Sequence, residues 1–215
     1  MFWKKELRLT YDATATPIGG EIALRFLRRN DEFRLRSVRS VNYEWLRPWE
    51  ASLPPEAHRF QSGSVFGGYY GEIKRAIRRG EMLPFVIELD GHIVGQVTVF
   101  AIQYGSAMQG SIGYWVSQLV AGRGVAPTAL ALAMDYCFRE MDLHRIEVCI
   151  RPENKASLRV VEKLGLTLEG LRQRYINVAG QWCDHLAFVQ YSDDAPQGVL
   201  QRWLQRRGIE AHKNN

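Results

Sequence analysis

A glycine-containing turn carries the most specific chemical signal in the sequence. The turn reads Ala121-Gly122-Arg123-Gly124-Val125-Ala126, between a predicted strand and a predicted helix. Glycines let the main chain adopt conformations closed to other residues and pass close to a ligand, so successive amide N–H groups can point into one cavity. Together with the positive end of the helix, these amides predict a phosphate site. Pro127 fits the first helical position, whose N–H has no intrahelical partner.

The absence of two other phosphate-binding motifs narrows the choice of ligand. The sequence lacks G-x-x-x-x-G-K-[ST], which binds nucleoside triphosphates, and it has no third glycine at the spacing of a Rossmann dinucleotide site. A lone G-x-G is also found in simple tight turns. The functional alternative that remains is a cofactor of another kind that carries a pyrophosphate.

Hydrophobic periodicity predicts the elements that hold this turn, in the order β-α-α-β-β-β-α-β-α-β-β-α. Strands are predicted at 21–28, 84–89, 92–99, 111–116, 144–150, 171–177 and 185–191, and helices at 31–45, 69–81, 127–141, 155–164 and 199–207. Residues 50–64 read as a loop, and Asp90-Gly91 predicts a hairpin turn. This mixture, with antiparallel hairpins, indicates an α/β sandwich of two or three layers.

Length and composition fit one ordinary domain that spans residues 1–215. A typical domain takes roughly 100 to 200 residues, and 46% hydrophobic with 24% charged residues is usual for a globular protein. No signal peptide and no apolar run of about 20 residues is present, so we expect a cytoplasmic protein without a membrane partner. The three cysteines lack C-x-x-C spacing, which argues against a disulfide framework and a zinc site, and no metal is expected.

The net charge of +5 is concentrated in two arginine-rich stretches, at 28–39 and 74–79. Such runs are more often solvated helix faces than docking patches for RNA, a ribosome or an anionic cofactor. We therefore expect no direct readout of nucleic acid.

Further segments extend the signal of the turn along the chain. They are Leu46-Arg47-Pro48-Trp49-Glu50, Asn154-Lys155-Ala156-Ser157, Lys163-Leu164-Gly165-Leu166, Leu168-Glu169-Gly170 and Gly180-Gln181-Trp182-Cys183-Asp184-His185. In this order and spacing they resemble the GNAT superfamily of N-acetyltransferases, and within it the RimJ/RimL-type branch that acetylates ribosomal proteins. The similarity spans about 20–192, the core of the domain, and the C-terminal helix at 199–207 lies beyond it. Ala121 departs from the Gln or Arg of the family pattern, and Leu166 replaces its Phe.

This resemblance implies a mixed, mostly antiparallel sheet of six to seven strands with a central splay, flanked by helices on both faces. It also implies acetyl-CoA as cosubstrate. The pantetheine arm would pair with the backbone of Trp115 and Val116, and Asn154 would hold the pantetheine or order a water. The diphosphate would lie on the turn residues Gly122, Arg123, Gly124, Val125 and Ala126.

The resemblance further implies direct attack of an amine on the thioester within a ternary complex. The Val116 N–H would donate to the oxyanion. Many family members protonate the leaving thiolate with a tyrosine, but that place is Val161 here, so Ser157, one helical turn earlier, becomes the expected acid. Glu169 is the expected base, with Asp184 a second candidate. The alternative for Asn154 and Ser157 is a structural one, as caps of the helix that they begin.

The sequence says less about the acceptor side, the part of the site that binds the amine substrate. Trp49 and Trp182 are expected to line its groove, and His92, His144 and His185, though capable of acid–base work, are expected to serve packing. An α-amine with a pKa of about 7.7 to 8.0 is far more often neutral near pH 7 than a lysine with a pKa of about 10.4. The lack of an obvious base therefore favours an N-terminal amine.

Three functions stay open. The first is acetylation of a protein or peptide N-terminus, possibly of a ribosomal protein, by a monomer or a homodimer. The second is acetylation of a small amine. The third is a non-catalytic acyl-CoA-binding or ribosome-associated protein, because the family's tyrosine and its Gln or Arg are missing.

Overall fold

The computed structural model describes residues 7–54 and 66–208. These residues form eight strands: β1 Arg8–Asp12, β2 Glu21–Phe26, β3 Leu83–Leu89, β4 His92–Gln103, β5 Gln109–Val116, β6 Arg145–Ile150, β7 Thr167–Val178 and β8 Gln181–Tyr191. They also form six α-helices: α1 Glu32–Val41, α2 Tyr43–Leu46, α3 Phe66–Arg78, α4 Val125–Glu140, α5 Lys155–Leu164 and α6 Val199–Arg206. Short 3-10 turns lie at Arg29–Asp31, Arg47–Trp49 and Gln118–Val120.

The strands form one sheet in the order β1-β2-β3-β4-β5-β6-β8-β7. Neighbouring strands are antiparallel except β5 and β6, which are parallel. The predicted hairpin is confirmed between β3 and β4, where Asp90 and Gly91 both have positive φ, 49° and 77°. Two consecutive positive φ values match the right-handed twist of the strands that they join.

A splay opens the middle of the sheet. β5 and β6 pair over three residues only, Gln109 to Ser111 against Arg145 to Glu147. Beyond Ser111, β5 continues to Val116 and pairs only with β4. The predicted central splay is confirmed, and it lies where the two parallel strands run towards their C-terminal ends.

The sheet has eight strands rather than the predicted six to seven. The missed strand is β1, which pairs with β2 at the edge of the sheet. It spans five residues whose side chains alternate between exposed and half-buried, with Leu9 among the half-buried ones. A segment this short and polar carries too weak a periodicity to be recognised from sequence.

The helix predicted over 31–45 is broken at Asn42. The Asn42 Nδ2 donates to the Val38 carbonyl at 2.8 Å, and its Oδ1 accepts from the Gln118 N–H at 2.8 Å. A side chain that satisfies distant backbone groups stabilises the interruption, so Asn42 ties the α1–α2 junction to the turn after β5. Of the predicted loop at 50–64, residues 55–64 lie outside the described residues.

Helix α4 begins two residues earlier than predicted, so Pro127 is its third residue and not its first. The Thr128 N–H donates to the Gly124 carbonyl at 3.2 Å. The missing N–H of Pro127 costs no helical bond, because the first four N–H groups of a helix have no intrahelical partner.

Helix α4 is almost wholly buried because it lies between the sheet and α6. The Trp203 Nε1 of α6 donates to the Thr128 hydroxyl at 3.0 Å. The Asp135 carboxylate of α4 accepts from the N–H groups of Val199 and Leu200 at the start of α6. No helix in the described part of the chain is long and apolar enough to cross a membrane.

A buried ion network joins β2, β3 and the start of α1. Arg25 bonds Asp31 at 2.7 Å and Glu88 at 2.8 Å, and all three side chains are at most 6% exposed. Burial by itself would raise the pKa of Asp31, but bonds from Arg25 and from the Arg28 N–H outweigh it and hold that pKa below its usual value. Asp31 therefore stabilises the fold above its ordinary pKa, and this stabilisation is lost as the pH falls through the lowered value.

Replacing Arg25 with Met is expected to lower the free energy of unfolding by about 3 to 5 kcal/mol, because two carboxylates remain buried without their cation. Denaturant unfolding at pH 7 measures this loss. Arg34→Met is the matched control, since Arg34 pairs with the same Asp31 but is 55% exposed, and an exposed pair contributes about 1 kcal/mol or less. Equal losses in the two variants would contradict the prediction.

Candidate functional site

A cavity of about 930 Å³ occupies the splay between β5 and β6. Its walls come from the ends of both strands, the turn at 121–126, the first turns of α5, the α1–α2 region and the β7–β8 hairpin. Ile112 and Ser111, neighbours on β5 whose side chains point to opposite faces, both line it. The cavity thus passes through the sheet from the face of α4 and α5 to the face of α1 and α2.

The main chain of Val116 faces this opening. The Ser117 N–H donates to the Val94 carbonyl at 2.7 Å, and the next pair in the ladder is Gly95 with Val116. Hydrogen-bonded and non-hydrogen-bonded pairs alternate in an antiparallel ladder, so Val116 turns its N–H and C=O away from β4. The Trp45 Nε1 takes the carbonyl at 3.2 Å, which leaves the N–H available at the cavity.

The peptide N–H and C=O groups of Trp115, unlike those of Val116, do not face the opening. By the same alternation its peptide groups face β4, and its side chain lines the cavity. The side chain is held by the Gln96 Oε1, which accepts from its Nε1 at 3.4 Å, and by Arg39, whose guanidinium carbon lies 5.3 Å from the ring centroid. The backbone residue that joins Val116 at the opening is therefore Tyr114.

The turn at 121–126 presents unpaired amides. Gly122 and Gly124 have φ of +80° and +101°, values that other residues rarely adopt. In the part of the chain that the structure describes, the N–H groups of Gly122, Gly124, Val125 and Ala126 donate to no protein acceptor. Four amides without a protein acceptor thus lie at the start of α4, an arrangement that suits an anion.

The arginine in this turn is not part of the cavity wall. The Arg123 side chain points away from the cavity and donates to the carbonyls of Pro17, at 3.3 Å, and Ile18. Cationic side chains that line the cavity here are Arg159 and Lys163 of α5. Free amides and cationic side chains that line one cavity fit a group that carries a diphosphate.

Helix α5 separates the roles of the two residues that begin it. The Asn154 Oδ1 accepts from the Ser157 N–H at 3.0 Å, which is an N-cap. The cap uses the amide of Ser157 and leaves its hydroxyl at the cavity wall. Val161, at the place of the family's tyrosine, is fully buried.

Sequence reasoning missed Tyr114. Its hydroxyl is buried and has no hydrogen-bond partner within residues 7–54 and 66–208. Burial raises the pKa of Tyr114, and the neighbouring Ser157 opposes this rise without the alignment of a full hydrogen bond. The strand alternation that puts Tyr114 on the face of Ile112 was a usable signal.

The predicted base and one predicted tryptophan lie outside the cavity. Glu169 bonds Arg145 at 2.5 Å and accepts from the Tyr191 hydroxyl at 3.2 Å. The bond from Arg145 holds the pKa of Glu169 below its usual range despite some desolvation. Asp184 accepts from the Arg174 N–H at 2.8 Å, and Trp182 is 56% exposed on β8.

Trp49 lines one side of the cavity, together with Trp45 and the ion pair of Arg39 and Glu50. The guanidinium carbon of Arg151 lies 5.8 Å from the Trp49 ring centroid. This side is thus walled by aromatic rings and arginines.

A buried carboxylate lies at the base of the splay. Glu147 lines the cavity, is 3% exposed, and pairs with Arg145 at 2.9 Å and with Arg172. It also accepts from the Cys149 thiol at 3.3 Å. Burial, reinforced by Glu147, raises the pKa of Cys149 to about 12, so the thiol stays protonated at neutral pH.

His185 is buried, as expected of a packing residue, but it also lines the cavity. Its Nδ1 lies 3.0 Å from the Cys183 carbonyl, and its ring meets Tyr175 edge-on at 6.1 Å between centroids. His92 and His144 are not among the lining residues.

One family model and several known proteins are similar to this chain. The Acetyltransferase (GNAT) domain family matches residues 22–167. The structure of Mycobacterium smegmatis RimJ in complex with CoA-disulfide superposes with a TM-score of 0.79 and 35% identity, over 89% of this chain and 91% of that one. The Escherichia coli [ribosomal protein uS5]-alanine N-acetyltransferase is 28% identical over 90% of this chain and 95% of its own. The probable N-acetyltransferase YjcK of Bacillus subtilis is 35% identical over 108 residues, which are 50% of this chain and 60% of that relative.

Proposed function

Since the chain belongs to the GNAT acetyltransferase family, we propose that it transfers an acetyl group from acetyl-CoA to the N-terminal α-amine of a ribosomal protein, as one catalytic domain. The acceptor class rests on the Escherichia coli relative, whose name specifies an alanine of ribosomal protein uS5. The cosubstrate rests on the RimJ structure with CoA-disulfide. One observation in this chain carries the proposal: the Val116 N–H faces a splay whose rim holds four unpaired amides.

Acetyl-CoA, when bound, supplies an activated thioester. The amides of Gly122, Gly124, Val125 and Ala126 hold the diphosphate, supported by cationic side chains of α5. The Val116 N–H donates to the thioester oxygen as negative charge develops there, which is the largest electrostatic contribution in acyl transfer.

Ser157 gives a proton to the sulfur as it leaves. Its hydroxyl is the one that the cap of α5 does not use, and the buried Tyr114 hydroxyl adjoins it. Because burial keeps Tyr114 protonated, Tyr114 can orient Ser157 without being ionised itself. This pair supports a proton donor at α5 in a chain that has Val161 at the family's tyrosine position.

The acetyl group moves directly to the amine. The cysteine at the cavity, Cys149, has a pKa of about 12, and the thiolate is the nucleophilic form of cysteine. An acetyl-cysteine stage is therefore disfavoured, which supports attack within a ternary complex.

The charges of the acceptor side favour a peptide over a polyamine. Both carboxylates that line the cavity, Glu50 and Glu147, are ion-paired with arginines. Arg39 and Arg151 add positive charge to the same walls. A polycation would meet like charges there, whereas a peptide N-terminus brings a single ammonium group.

Incubation with acetyl-CoA and three acceptors tests the proposal by mass spectrometry. The acceptors are a peptide that begins with alanine and contains a lysine, the same peptide with a blocked N-terminus, and spermidine. We expect acetylation of the free α-amine and little of the blocked peptide or of spermidine. Modification of spermidine alone would overturn the acceptor class, and no acetyl transfer despite CoA binding would overturn the enzymatic function.

A further inference from the structure

Resting on the proposed function, we propose that His185 is the catalytic base of the acceptor side: its Nε2 takes the proton from the α-ammonium of the substrate. Neither carboxylate expected to act as base lines the cavity, and Glu147, which does, already accepts from two arginines. His185 lines the cavity as Trp49 does, and Arg151 links the two, because its charge acts on His185 and its guanidinium carbon lies 5.8 Å from the Trp49 ring centroid.

The position of His185 in the sheet gives it access to the acceptor. Ile150 at the end of β6 pairs with Leu186, so His185 lies one residue beyond the end of the β6–β8 ladder. In the parallel register Ser111 faces Glu147, which puts the level of His185 at that of Trp115 and Val116 at the end of β5. His185 thus stands beside the mouth of the splay and not at its closed end.

The tautomer of the ring follows from its surroundings. Nδ1 lies 3.0 Å from the Cys183 carbonyl, an acceptor that fixes the proton on Nδ1 in the neutral ring. Nε2 is then the lone-pair nitrogen. Within the described residues Nε2 has no hydrogen-bond partner and is not fully buried, and the residue lines the cavity.

Burial, more than the surrounding charges, favours the neutral form of this ring. Burial lowers the pKa of His185 below its ordinary value, and Arg151 adds to the effect. The Cys183 carbonyl, Glu153 and Asp184 oppose it without reversing it. From β7, Arg172 is the cross-strand partner of His185, and its neighbour Tyr175 meets the ring edge-on.

A base of this strength discriminates between amines. Because the pKa of His185 lies below its ordinary value, the ring accepts a proton more readily from an α-ammonium of pKa about 7.7 to 8.0 than from a lysine of pKa about 10.4, a difference of more than two units in favour of the α-amine. In the balanced step the ammonium first gives one proton to Nε2, which releases it to solvent. The amine nitrogen then bonds the acetyl carbon, the carbon–sulfur bond breaks, sulfur takes the proton of Ser157, and the second nitrogen proton restores Ser157.

His185→Gln tests this role with the alanine-initiated peptide. We expect kcat/KM to fall about 100-fold at pH 7, at the lower end of general acid–base effects, with the affinity for CoA unchanged. The deficit should shrink above about pH 9, where the α-amine is already neutral. His92→Gln is the matched control, because the His92 Nδ1 also lies 3.0 Å from a carbonyl two residues earlier, outside the cavity.

A second readout does not depend on turnover. Nitrogen NMR of the imidazole should show the Nδ1-protonated tautomer of His185, neutral at pH 7. The role of His185 alone is overturned if the wild type acetylates the peptide and the His185→Gln variant either matches it or loses activity equally at every pH. An NMR spectrum that shows an Nε2-protonated ring would also overturn the role of His185 alone. A wild type that acetylates no peptide overturns the proposed function, and this role with it.

Discussion

Ser157→Ala is expected to lower kcat about 100- to 1,000-fold, within the usual range for loss of a general acid, and to change the KM for acetyl-CoA only a few-fold. The hydroxyl that is removed is not the group that caps α5. The cap of α5 runs from the Ser157 N–H to the Asn154 side chain, and alanine keeps that amide. Steady-state kinetics with a thiol-detecting reagent measures the loss.

Ser111→Ala is the matched control for this variant. Ser111 also lines the cavity but lies at the closed end of the splay, so kcat should stay within a few-fold of the wild type. Comparable losses in both variants would point to general damage of the cavity, and an unaffected Ser157→Ala enzyme would remove Ser157 as the acid.

Gly122→Asp is expected to weaken CoA binding about 100-fold or more, measured by calorimetry. A Cβ at Gly122 meets nothing within 4 Å, so the new side chain enters open space beside the free amides. Its carboxylate would then face the diphosphate, and two like charges 4 Å apart repel by about 1 kcal/mol in water and about 4 kcal/mol near a protein surface.

Gly122→Asn separates charge from backbone strain. Asparagine and aspartate both tolerate positive φ better than other residues, so the two variants share the cost of that conformation at φ +80°. The asparagine variant should bind CoA within about tenfold of the wild type. Equal affinities in the two variants would mean that no anionic group lies at this turn.

The sequence predicted those parts of the fold whose signals are local. The hairpin at Asp90-Gly91 and helix α5 at 155–164 depend on turn chemistry and on a cap within a few residues, and both are confirmed. The break at Asn42 was not predictable in this way, because its cause is a hydrogen bond to Gln118, far along the chain. The start of α4 was misjudged because proline is tolerated throughout the first helical turn.

The same distinction between local signals and distant contacts applies to the candidate site. The turn at 121–126 and the start of α5 could be predicted to lie together, because each is one contiguous motif, and residues of both line the cavity. Tyr114 and His185 were missed or assigned to packing, since their importance depends on strands β5 and β8 bordering one cavity. Glu169 was proposed from a motif, but its partner Arg145 lies on another strand, and no local pattern reveals that pair.

The short pairing of β5 with β6 has a consequence for what can enter. A strand edge with unused backbone groups usually invites foreign strands and aggregation. Here that edge is recessed in the interior of the molecule, and the indole of Trp45 already covers one of its carbonyls. The backbone groups of this edge that remain unpaired can be reached only by a chain that enters the cavity. An arrangement that would be a hazard at the rim of a sheet thus becomes available for pairing with a bound ligand.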